Sequence, residues 1–173
     1  ASEPPAGGSM RIRLGYRPPF DFGRILDYLS SRALPGVERI ETDRYARSFN
    51  LGGAKGVLTV TPARGHALEA RVTMLDASAT ALPIRAIAAR LRRLFDLDAE
   101  PGALPAAFAR DPLIGPRLKR APGLRVPGAF DGFELAVRAV LGQQISVKGA
   151  TTIAGRIVAK FGEPVSAERE GLP

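Results

Sequence analysis

Apolar and polar residues alternate near the start of the chain: Ile12, Leu14 and Tyr16 take turns with Arg11, Arg13 and Gly15. A period of two marks a strand with one buried face, and Pro18-Pro19 ends it. From Asp21 the period lengthens. Phe22, Ile25, Leu26, Leu29 and Ala33 fall on one side of a helix that Asp21 can cap and that Pro35-Gly36 stops after Leu34. Three strand candidates follow, over residues 37–51, 56–61 and 68–74. Gly52-Gly53 offers a tight turn between the first two, and residues 62–66 a longer one between the second two. Connections this short make neighbouring strands antiparallel. A second helix is predicted over residues 82–97, with Ile84, Ile87, Ala88, Leu91, Leu94 and Phe95 at helical spacing. Its other face carries Arg85, Arg90, Arg92 and Arg93, which read first as a solvated face.

Residues 11–98 therefore read strand, helix, three strands, helix: an α+β domain whose antiparallel sheet hides its apolar face under two helices. Residues 1–10 are small and rich in Pro and Gly, and read as a flexible linker. Residues 99–173 turn helical and make a second, incomplete all-α unit. Prolines divide residues 100–128 into one or two short helices around Leu104, Ala107 and Phe108. Asp131-Gly132-Phe133-Glu134 has capping-box spacing, with Glu134 expected to reach back, while Phe130 and Leu135 are placed for a hydrophobic staple. Phe133, Val137, Val140 and Leu141 form the stripe of that helix, which Gly142 can break. Ser146 can cap the next helix, with the stripe Val147, Ala150, Ile153, Ala154, Ile157 and Phe161 and a stop at Gly162. Two apolar-faced helices meeting at a polar corner form a hairpin. With little sequence after it, Ala150, Ile153 and Ile157 are expected to face solvent, and self-association is expected to follow.

Composition narrows the chemistry. The absence of cysteine excludes disulfides, thiolate zinc sites and iron–sulfur clusters from these residues. The single histidine, His66, sits beside Gly65 in a turn and lacks metal-binding company, so no metal and no cofactor are expected. No apolar run approaches membrane-spanning length and no secretory signal is present, which reads as a soluble, cytoplasmic protein with no membrane partner. Lys and Arg total 25 against 17 acidic residues, for a net charge of +8 and a pI near 10.7. That sign favours nucleic acid as a partner. Arginine-rich composition of high-GC origin gives the same sum, and all but four of the basic residues are arginine.

The segment from Phe130 to Ser146 (Phe-Asp-Gly-Phe-Glu-Leu-Ala-Val-Arg-Ala-Val-Leu-Gly-Gln-Gln-Ile-Ser), preceded by Pro122-Gly-Leu-Arg-Val-Pro127, resembles the opening of a helix-hairpin-helix DNA glycosylase domain. Gly15-Tyr-Arg-Pro-Pro-Phe-Asp-Phe22 is similar to the start of the N-terminal domain of the 3-methyladenine DNA glycosylase II (AlkA) family. Arg44-Tyr-Ala-Arg-Ser48 and Arg93-Leu-Phe-Asp-Leu97 fit the same family in the same order. The resemblance implies a TATA-binding-protein-like α+β domain followed by the start of a helical glycosylase domain. It also implies a function in DNA repair, as part of a monofunctional glycosylase that excises alkylated purines of the 3-methyladenine type from double-stranded DNA. Such an enzyme flips its target out of the stack, at a cost of a few kcal/mol. A carboxylate then stabilises the oxocarbenium-like sugar, without metal.

By motif position the resemblance places Gln144 as the wedge that fills the vacated space, with Gln143, Ser146 and Lys148 beside it on the DNA. From the residues alone, the two glutamines read first as a polar helix corner. Tyr28 and Arg32, four apart on the first helix, correspond to the wall of the base pocket, where an aromatic suits a cationic base. The competing reading has Tyr28 covering the core edge and Arg32 capping the helix. The family's Leu-Pro-Gly-Ile-Gly-like hairpin and its catalytic aspartate have no counterpart here, and Asp131 reads as a cap. The chain is therefore expected to be inactive by itself, as part of a longer glycosylase. The alternative is a non-catalytic DNA-binding module of a larger adaptive-response (Ada-like) regulator. A sheet used for protein contacts is a third reading.

Overall fold

A computed structural model describes residues 9–75 and 83–164. Most of the expected linker (residues 1–8), Leu82 at the expected start of the second helix, and residues 165–173 lie outside the described residues. In chain order the elements are β1 (Ser9–Gly15), α1 (Phe22–Ser30), β2 (Glu38–Ile40), β3 (Tyr45–Leu51), β4 (Ala54–Ala63) and β5 (Ala67–Met74). They are followed by α2 (Ile84–Leu94), α3 (Ala103–Ala107), α4 (Ile114–Arg120), α5 (Gly132–Leu141) and α6 (Val147–Phe161).

The strands form one antiparallel sheet in the order β1-β5-β4-β3-β2. Its register sorts side chains by face: Leu14 pairs with Leu68, Val72 with Leu58, and Tyr45 with Val60. All six are buried, together with Ile25, Leu26 and Leu29 of α1 and Ile87, Leu91 and Leu94 of α2. Sheet and helices thus share one core, to which each fully buried Leu, Ile or Val contributes about 1.5–3 kcal/mol. The expected α+β architecture is what forms.

Several boundaries differ from expectation. The candidate strand over 37–51 is two strands, β2 and β3, reversing through Glu41-Thr42-Asp43-Arg44. That turn carries no Gly or Pro; the Glu41 amide donates to the Arg44 carbonyl (2.8 Å) and the Arg44 guanidinium to the Glu41 carboxylate (2.7 Å). Helix α1 stops at Ser30 rather than Leu34. The Leu34 amide is taken by the Glu38 carboxylate (3.0 Å), which fixes the chain in a turn instead of a further helical turn. Asp21 caps α1 as expected, accepting from the Arg24 amide at 2.9 Å.

The chain after α4 folds back on this domain. Gly123 has φ +81°, and a Cβ there would lie 2.8 Å from the Phe20 amide nitrogen, so only glycine fits this close approach. Its carbonyl accepts from the Asp21 amide (3.1 Å). Buried Arg125 donates to the carbonyls of Arg17 (2.5 Å), Ala99 (3.0 Å) and Pro19 (3.1 Å). Phe130 then enters the main core.

Candidate nucleic-acid interface

Phe130 leads directly into α5, which is held on the domain in an unusual way. No residue of α5 is fully buried, and Phe133 and Val140 of its expected stripe are 78% and 67% exposed. Ionic and hydrogen-bonded contacts hold it instead. Arg47 of β3 donates to Glu134 (2.5 Å), and Arg90 of α2 donates to Asp131 (2.6 Å) and the Phe130 carbonyl (2.9 Å). Arg138 reaches the carbonyl of Arg32 (2.6 Å) and lies 3.8 Å from Glu38. Asp131 accepts from the amides of Phe133 (2.9 Å) and Glu134 (3.1 Å), as a cap should. The reciprocal half of the expected capping box is replaced, because Glu134 turns to Arg47 rather than back to Asp131. Leu135 stays 56% exposed, so the expected staple buries little, and Phe130 packs into the core instead.

Arg47 is the centre of this arrangement. It alternates with Tyr45 and Phe49 on the core face of β3, and only 2% of it is exposed. Its guanidinium lies 3.5 Å from Glu38, 2.5 Å from Glu134 and 4.1 Å from the centre of the Phe130 ring. The Tyr45 hydroxyl donates to Glu38 at 2.6 Å. Burial penalises the Arg47 charge, but Tyr45, Glu134 and Glu38 more than restore it, and its pKa is raised. Burial dominates for Glu134, whose pKa is raised because Arg47 offsets it incompletely with Glu38 and Asp131 nearby. Burial also pushes the Tyr45 hydroxyl well up. For Asp131, burial is outweighed by Arg90 and the two capping amides, which together hold the carboxyl low. Breaking up a buried cluster of this kind is costly because the partner left behind is an uncompensated charge.

A cleft of about 130 Å³ lies above the cluster, lined by Tyr28, Arg32, Glu38, Arg47, Phe130 and Glu134 among others. Tyr28 is 44% exposed, and the Arg32 guanidinium sits 4.0 Å over its ring, a cation–π pair at the mouth. Arg32 also donates to the Tyr28 carbonyl (3.3 Å), so it satisfies the end of α1 while lining the cleft.

The corner lies close by. Gly142 follows Arg138 by four residues, about 6 Å along the helix axis, and Arg138 touches the carbonyl of Arg32. The structure therefore brings the Tyr28–Arg32 pair and the α5–α6 corner to one side of the domain. Gly142 caps α5 in a right-handed conformation, and the left-handed residue is Gln144, at φ +59°. Ser146 accepts from the Gly149 amide (3.1 Å) and starts α6. Gln143, Gln144, Ser146 and Lys148 are all exposed. On α6 only Ala154 is fully buried; Ile153 is exposed, Ala150 and Ile157 are half-buried, and the tight contact is Gly155 and Val158 against Pro35-Gly36.

The AlkA N-terminal domain profile matches residues 11–131. The chain belongs to the AlkA N-terminal domain family. It is 39% identical over 160 residues to a Mycobacterium tuberculosis protein named a probable bifunctional transcriptional activator/DNA repair enzyme AlkA, covering 92% of this chain and 31% of that protein. To the Escherichia coli DNA-3-methyladenine glycosylase 2 it is 38% identical over 153 residues, 87% of this chain and 50% of that one. The chain thus spans about a third to a half of these AlkA relatives. A 3-methyladenine DNA glycosylase from Archaeoglobus fulgidus has the same fold, with a TM-score of 0.72 at 19% identity over 87% of this chain and 50% of the other.

Reading the sequence did not single out Arg47, Glu38, Arg90 or Arg138 as site residues. One signal was available: Arg47 occupies an inward position in the alternation Tyr45, Arg47, Phe49, and an arginine on a core face demands buried partners.

Proposed function

We propose that this chain is the DNA-engaging part of an AlkA-type, monofunctional glycosylase that removes alkylated purines from double-stranded DNA in the bacterial cytoplasm. Gln144 fills the gap left by the flipped nucleotide, with Gln143, Ser146 and Lys148 against the adjacent bases and backbone. Tyr28 and Arg32 form one wall of the pocket that receives the base. A single observation carries the reading: an exposed, left-handed glutamine stands at a helix–helix corner one turn beyond the Arg138–Arg32 contact. A wedge must project from a rigid turn into a stack, and an amide plane there can stack and donate hydrogen bonds.

We assign no hydrolysis to these residues. Cleavage of the glycosidic bond requires a carboxylate free to face the sugar, and at the cleft Glu38, Asp131 and Glu134 are each committed to arginine. The reacting carboxylate is assigned to the further sequence that the AlkA relatives carry.

The test joins these residues to the second half found in such relatives and assays release of 3-methyladenine from methylated duplex. The joined protein should excise base, Gln144→Ala should slow it by at least tenfold, and the 173-residue chain should bind duplex without excising. Base release by the chain itself, at a rate proportional to its concentration, would overturn the division of labour. A second reading is a non-catalytic DNA-binding module of an adaptive-response regulator, favoured by the bifunctional name of the Mycobacterium tuberculosis relative. Duplex binding by the joined protein with no release of base would favour it.

A further inference from the structure

The face of the sheet opposite the core has a charge pattern that the fold does not explain. Arg11 of β1 is directly opposite Arg71 of β5, and in the same row Arg71 is opposite Thr59 of β4. In the next row Arg13 is opposite Glu69, and Glu69 is opposite Thr61. Like charges directly opposed across strands cost stability rather than add to it. Glu69 relieves little, since among the described residues its ion pair is with Arg11 at 3.9 Å, and the Arg11 side chain is 66% exposed. Arg13 does not pair with it and instead donates to the carbonyls of Arg64 and Gly65 in the β4–β5 turn. Arg64 and Arg71 are exposed, and their guanidinium groups have no hydrogen-bond or ion-pair partner among the described residues. Four guanidinium groups thus meet one carboxylate on the outer side of β1, β5 and the β4–β5 turn, beside the half-buried hydroxyl-bearing Thr59, Thr61 and Thr73. The helices that fill the core, α1 and α2, lie on the other face.

We infer that this arginine-bearing face is a second contact surface for duplex DNA, gripping the phosphate backbone away from the corner. The inference rests on the reading that the partner is duplex DNA and adds a site that the corner does not require. Opposed arginines are tolerated when a polyanion neutralises them. Their separation across two strands and a turn fits repeated phosphodiesters rather than one small anion, and guanidinium and hydroxyl groups are the side chains that hold phosphate oxygens without reading sequence.

The experiment measures binding of the 173-residue chain to an undamaged duplex as a function of salt. Each lost phosphate contact lowers the slope of log K against log salt by about 0.9. Arg11→Gln with Arg71→Gln should reduce the slope by about 1.8, weakening binding about tenfold at low salt. Arg11→Lys with Arg71→Lys should retain the slope, and Arg85→Gln with Arg110→Gln, equal in charge but off the face, should leave it unchanged. An unchanged slope in the Arg11/Arg71 glutamine variant, or an equal drop in the off-face control, overturns this second surface. The corner is tested separately, since Gln144→Ala should leave the slope intact and alter only discrimination of damaged from undamaged duplex. Absence of any salt-dependent binding by the unaltered chain would overturn both.

Discussion

Replacing Arg47 by methionine should destabilise the protein by about 3 kcal/mol, near the low end of the ~3–5 kcal/mol seen when one member of a buried ion pair is removed. The low end follows from what remains. Glu38 keeps the Tyr45 hydroxyl at 2.6 Å and the Leu34 amide at 3.0 Å, so its charge is only partly orphaned. Glu134, whose side chain is 31% exposed, can turn to water. Methionine retains much of the packing against Phe130 but not the cation–π contact at 4.1 Å. Urea unfolding followed by circular dichroism reads the difference, and melting should fall by about 6–12 °C for a chain of this size. The more decisive arm is Glu38→Gln in both backgrounds. With Arg47 present it breaks a pair and destabilises; combined with Arg47→Met it removes an uncompensated charge and should recover about 1 kcal/mol or more. Amides of α5 should exchange faster in Arg47→Met, since Arg47 is one of the tethers holding that helix. A variant within about 1 kcal/mol of the parent, or equal effects of Glu38→Gln in both backgrounds, would show that the cluster does not act as a unit.

Three further outcomes follow. Gln144→Gly relieves a left-handed residue at φ +59° and should raise stability by about 0.5 kcal/mol while lowering the preference for damaged over undamaged duplex, measured by urea unfolding and binding titrations on the same protein. Gly123→Ala should cost about 2 kcal/mol or more, since its φ is +81° and the new Cβ would meet the Phe20 and Asp21 amides; an unchanged melting temperature contradicts that. Glu134 has a pKa raised by burial, so the folded protein takes up its proton at a higher pH than the unfolded chain does. Its contribution to stability therefore rises as pH falls from the raised folded value toward the ordinary glutamate range. Melting curves across that window should show the parent gaining on Glu134→Gln as pH falls, and parallel curves would refute the direction.

How much was legible in advance depended on the distance over which each feature is decided. The caps at Asp21, Asp131 and Ser146 and the Gly52-Gly53 turn were readable because each is settled among residues within a few positions of one another. The periods of two and 3.6 likewise gave the α+β class and most of the core. Features decided by distant partners stayed hidden. Arg47 meets Glu134 across 87 positions; the alternation Tyr45, Arg47, Phe49 hints that it faces inward, but nothing local says which carboxylates will meet it there. The early stop of α1 depends on Glu38 taking the Leu34 amide, and Glu38 is oriented by Tyr45, a residue of the next strand. At the corner, the sequence marked where the helices break, while the left-handed turn falls on Gln144 rather than Gly142. Side-chain periodicity and caps belong to the chain itself. Which charges are paired out of water, and which way a corner projects, is decided only when separate elements pack together.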